Sequence, residues 1–103
     1  MKIYEGMRVS GEAIVTVDAE SLNPRNDLRN HSPTGYEWGY GGSGPAQLAL
    51  AILADSVGER LALEHYQEFK HLVVAGLPHK SWVLTGEQVL EAVAKIKAKA
   101  ERT

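Results

Sequence analysis

The chain has 103 residues, 44% of them apolar and 23% charged, and a formal net charge of −2. This predicts one globular domain, residues 1–103, burying roughly two-thirds of the surface of its unfolded form, with no long-range field to attract nucleic acid or an acidic membrane. The lack of cysteine excludes disulfides, thiolate metal sites and cysteine nucleophiles.

The N-terminal MKIYEGMRVSGE has no apolar core of signal-peptide length. The longest apolar run, Leu48 to Ala54, is far short of a membrane span, so a cytoplasmic location is expected. Lys2 to Arg8 and Glu12 to Asp18 are rich in β-branched residues and are joined by Ser10-Gly11. In the second, Ile14, Thr16 and Asp18 alternate with Ala13, Val15 and Val17, the period of two that marks a half-buried strand. An antiparallel hairpin follows.

Asn23-Pro24 resembles a cap followed by proline in the first helical position. It predicts a single helical turn through Leu28, with Arg25 and Arg29 on one face. His31 to Gly44 then combines one proline, five glycines and small polar residues, a composition that denies it regular structure. Pro45 restarts order, with Ser43 or Gly44 as cap. The helix running to about Asp55 is apolar all round, so it should be the central helix, enclosed on every side or in contact with another subunit.

Ser56 to Gly58 breaks the chain before a second helix, Glu59 to Ala75, whose Ala62, Tyr66, Phe69 and Val73 fall on one face. Gly76 and Pro78 stop it. Ser81 to Leu84 is a short strand, and Thr85-Gly-Glu-Gln88 is a capping box that opens a last helix with Val89, Val93 and Ile96 on its inner face. Its tail, KIKAKAERT, is expected to fray. The fold class is therefore α+β: a small antiparallel sheet with about three helices, one of them apolar and central.

The chemistry concentrates before the Pro45 helix. Gly39-Tyr-Gly-Gly-Ser-Gly44 matches G-x-G-x-x-G, but a dinucleotide fold needs a buried parallel strand on each side, and here a second helix follows. A phosphate-binding P-loop fails because Pro45 stands where lysine is required. The esterase elbow fails because Pro45 follows Gly44 where its second glycine should come.

What remains is general. Free N–H groups and aligned peptide dipoles at a helix start attract an anion, and glycines allow close approach. The expected donors are the amides of Ser43, Gly44, Ala46 and Gln47, with Gly42 leading in. Arg25, Arg29 and His31 would add charge or hydrogen bonds, and Tyr36, Trp38 and Tyr40 would stack on a ring. The competing reading gives the glycines a packing role only, and pairs the arginines with Asp27 and Glu37 in surface salt bridges.

Glu68-x-x-His71 has a spacing used in di-iron bundles, but a second such motif is missing, so a polar helix face is expected and no metal is assigned. An enzyme using Ser43 or His31 with Glu37 is the weakest reading, since no spacing supports a defined reaction. No catalytic residue and no cofactor is assigned.

Across HSPTGYEWGYGGSGPAQLALAILAD the chain resembles an uncharacterised family of small bacterial, plasmid and phage proteins, a domain of unknown function. The likeness extends from Tyr4-Glu-Gly6 through Tyr66-Gln-Glu-Phe-Lys70 to Trp82-Val-Leu-Thr85. The resemblance implies a phage or mobile-element setting and carries over no activity. Two functions are expected to compete: a non-enzymatic binder of a small anionic ligand such as a nucleotide, sequestering a signal of host defence, and a module that binds a host protein or a second copy through the apolar helix and aromatic loop.

Overall fold

The computed structural model describes residues 2–32 and 35–101. Pro33 and Thr34 of the irregular segment, and the last two residues of the C-terminal tail, lie outside the described residues. Strands β1 (Ile3–Val9) and β2 (Glu12–Val17) form the expected hairpin, Tyr4 opposite Val17 and Val9 opposite Glu12. Ser10 and Gly11 turn it with φ of 51° and 81°, the left-handed pair that matches the twist of a two-residue loop.

A second such turn at Asp18 and Ala19, φ 49° and 68°, leads into β3 (Glu20–Ser21), which pairs antiparallel with β2. This strand was not expected, because two residues carry no periodicity. Strand β4 (Ser81–Thr85) pairs antiparallel with β1, giving the sheet order β3-β2-β1-β4. The α+β class is as the sequence predicts.

Three helices complete the fold: α1 (Ser43–Val57), α2 (Glu59–Leu72) and α3 (Gly86–Glu101). No described helix is long and apolar enough to cross a membrane. The inner face of the sheet, with Tyr4, Val15 and Trp82, joins Leu48, Leu50, Ile52 and Leu53 of α1 and Phe69 of α2 in one core. Leu48 to Leu53 are wholly shielded from solvent. The chain itself encloses α1, so this helix is not free to meet a partner.

Four boundaries differ from expectation. Helix α1 begins at Ser43, with Gly42 as N-cap, because a proline in the first turn gives up an N–H that would have no helical partner anyway. Helix α2 ends at Leu72, and Val74–Gly76 tightens into a single 3-10 turn. Helix α3 continues through Glu101 without fraying over the described tail. The predicted turn after Pro24 is not helical: Arg25 has φ 57°, a left-handed conformation that interrupts a right-handed helix.

Candidate functional site

The segment between β3 and α1 wraps across α1 and is fixed at one point by Gln47. This side chain is wholly buried. Its Oε1 accepts from the amides of His31 at 2.8 Å and Ser32 at 3.2 Å, and its Nε2 donates to the Pro24 carbonyl. A glutamine inside an apolar helix is affordable only when both ends of its amide are satisfied. The Gln47 side chain is thus an internal anchor of the loop; the role expected of this residue was that of its backbone amide. His31 is held a second time, with Nε2 at 2.7 Å from the Tyr66 hydroxyl.

The arginines go to protein partners. Asn23 Oδ1 accepts from the Arg25 amide at 2.9 Å, and the Arg25 guanidinium grips both oxygens of Asp27 at 3.0 Å and also Glu59. Hydrogen bonding to that guanidinium holds the Asp27 carboxyl below its ordinary range. Arg29 is exposed and donates to the Leu28 carbonyl at 2.8 Å. The helical turn expected to set the two on one face is not formed, and each guanidinium has a protein partner.

Of the three aromatics, only Tyr40 is exposed. Tyr36 donates its hydroxyl to the Leu22 carbonyl at 2.7 Å, and burial pushes that hydroxyl well above its usual pKa. Trp38 is core: its indole donates to the His79 carbonyl at 2.9 Å and meets Trp82 edge-on, with ring centroids 5.6 Å apart. Arg8 covers the outer side of Trp38, 4.6 Å from the ring centroid, and pairs with Glu37 at 2.9 and 3.3 Å. That hydrogen bonding lowers the Glu37 pKa. Trp38, 1% exposed, presents no face on which a ligand ring could stack; Tyr36 is half-buried and its hydroxyl is taken by the Leu22 carbonyl.

At the start of α1 the glycines are needed for contact as well as for turning. A Cβ on Gly44 would lie 2.7 Å from Glu37 Cβ, and one on Gly42 would lie 2.4 Å from the Tyr40 ring. Gly39, φ 86°, donates its amide to the Val74 carbonyl at 3.0 Å and ties the loop to the 3-10 turn that follows α2. Ala46 already donates to the Gly42 carbonyl at 3.0 Å, so it is not the free donor expected. No side chain caps α1. Among the described residues, no group accepts from the amides of Ser43 or Gly44.

One residue at this end was not anticipated. Helices α1 and α2 form an antiparallel hairpin about Gly58, which brings the end of α2 beside the start of α1. There Lys70 stands one turn after Tyr66, the partner of His31, and one turn before Val74, the partner of Gly39. It is only 9% exposed, and among the described residues no hydrogen bond or ion pair holds its ammonium. The next residue, His71, is exposed, with its ring about 4.0 Å from where a Cβ on Gly41 would be. The signal was present in the sequence: Lys70 falls four residues after Tyr66 and eight after Ala62, within the apolar stripe of α2.

A cleft of about 470 Å³ opens between β2 and the segment leading to Trp38, with Val15, Leu22, Ser32, Tyr36 and Glu37 in its walls. It is lined by Glu12 and Glu37 and by no lysine or arginine, so an anion would find no partner there. Glu68 and His71 line a separate surface groove of about 550 Å³ with Leu72, Lys95 and Lys99.

Residues 4–95 match the family of unknown function designated DUF6166. The chain belongs to this family. The match spans both Tyr4 and Trp82, so the sheet, the loop and the α1–α2 hairpin all fall within the family's extent. No curated protein and no solved structure is significantly similar to the chain.

Proposed function

We propose that this protein is a non-enzymatic binder of a small anionic ligand, a phosphate-bearing compound such as a nucleotide, held at the start of α1. The observation that carries this reading is an uncapped helix start beside the end of α2, where Lys70 packs its stem away and keeps an ammonium that reaches solvent and has no partner among the described residues. A bound anion would pair with that ammonium while accepting from the Ser43 and Gly44 amides. Glu37 lies close to Gly44, but Arg8 neutralises its carboxylate.

His71 and Tyr40 stand at the rim, where one can donate a hydrogen bond and the other can cover a ring. The resemblance to phage and plasmid proteins supplies the setting of this proposal: on a mobile element, such a binder would withdraw a nucleotide signal from host defence. The test is thermal denaturation against inorganic phosphate and a panel of mono-, di- and cyclic nucleotides. At 100 times the dissociation constant a true ligand adds about 2.7 kcal/mol, a rise of roughly ten degrees or more for a domain of this size. The rise should vanish in Lys70→Met. If no anion shifts the wild type, the proposal fails.

A further inference from the structure

The two edges of the sheet are unlike. β3 is two residues long and begins with Glu20, and a short, charged edge resists pairing with another chain. β4, Ser81-Trp-Val-Leu-Thr85, has no proline and no charge, and among the described residues nothing pairs with its outer side. The register fixes which of its groups are free. The Gly86 amide donates to the Lys2 carbonyl at 2.7 Å, one step beyond the Ile3–Thr85 pair, so the bonded pairs along β1 are those of Leu84 and Trp82. Ser81 and Val83 turn their N–H and C=O groups outward, and the Thr85 amide is taken by Gln88 Oε1 at 2.9 Å.

We infer that β4 is a docking edge for a second copy of this chain, paired antiparallel about a two-fold axis at Val83. In that register the two Val83 residues face each other and exchange both hydrogen bonds, and Ser81 of each copy donates to the outward Thr85 carbonyl of the other. Position 79 then stands opposite 87, and 80 opposite 86. Exposed His79 and Lys80 at one end of β4 meet exposed Glu87 just beyond the other, so the charges are self-complementary, as an isologous contact requires.

Side chains on the outer face agree with this pairing. Val83 is 58% exposed and Met7, diagonal to it across the β1–β4 ladder and opposite Ile14 on β2, is 40% exposed, so apolar side chains lie beside the axis on this face. The pairing also closes: an eight-stranded sheet would end on a β3 at each side, and both of those edges are blunted. Growth stops at the dimer.

Sedimentation velocity and native mass spectrometry across a concentration series test the inference. The wild type should dimerise, and Val83→Lys, at an exposed position, should be a folded monomer by circular dichroism. Glu87→Lys should weaken the dimer about tenfold, and Lys80→Glu added to it should restore affinity. A wild type that stays monomeric throughout overturns the proposal, as does a dimer indifferent to both Val83→Lys and Glu87→Lys. Should Val83→Lys fail to fold, the charge exchange decides alone. None of these substitutions touches the α1 start, so phosphate binding and dimerisation can fail separately.

Discussion

The Trp82 indole lies flat on Gly6, its neighbour across the β1–β4 ladder. A Cβ added to Gly6 would come within 2.3 Å of the ring carbon Cε2 and 2.4 Å of the ring nitrogen. Gly6 has no positive φ, so contact alone forbids a side chain there. Trp82 cannot yield, because Trp38 abuts it edge-on from the core side.

Gly6→Ala should therefore destabilise the fold by about 1–3 kcal/mol, the usual cost of overpacking. The melting temperature should drop by roughly 4–8 °C for each kcal/mol. Calorimetry reads this directly, and an unchanged melting temperature would mean that the indole moves aside freely.

Gln47→Leu should cost about 3 kcal/mol, since the His31 and Ser32 amides and the Pro24 carbonyl lose one buried partner together. The loss should appear first as faster proteolysis between Asn23 and Gly42, while the sheet keeps its amide protection. Equal acceleration of cleavage throughout the chain would contradict the anchoring role.

Thr85 and Gln88 cap each other: the Gln88 amide donates to Thr85 Oγ1 at 3.1 Å, and the Thr85 amide donates to Gln88 Oε1 at 2.9 Å. Thr85→Ala should cost about 1 kcal/mol. Adding Gln88→Ala should cost less than the sum of the two single effects, because one box is being removed twice. Strict additivity in urea denaturation would show that the bonds act independently.

Acid should expose the carboxylate pairs. Arg8 holds the Glu37 pKa low, and Arg25 does the same for Asp27. A lowered folded-state pKa gives stability that is complete above the unfolded carboxylate range and is lost as pH falls through the folded values, so the melting temperature should decline below about pH 4. Arg8→Gln should make that acid limb shallower in addition to any loss at neutral pH. An acid limb of unchanged slope would remove Glu37 from the account.

Much of this architecture is local, and local signals are written in the sequence. The β1–β2 hairpin follows from alternation and a Ser-Gly turn, and the box at Thr85 from two residues three apart. The buried stripe of α3 follows from Val89, Val93 and Ile96. Each depends on contacts within a few residues, where period and propensity decide. The left-handed Arg25 escaped because arginine has no preference for that conformation; the Asn23 side chain and the pairing with Asp27 and Glu59 hold it there.

By itself, then, the sequence determined one α+β fold around an apolar helix and marked the glycine segment as its least regular part. Only the tertiary structure decided which polar groups of that segment are occupied. It gave Arg25 to carboxylates, Trp38 to the core and Gln47 to the loop, and it brought Lys70 from a helix far along the chain to the start of α1. The reason is physical: a buried polar group takes whichever partner the packing brings within hydrogen-bond reach, and sequence separation carries no information about that distance.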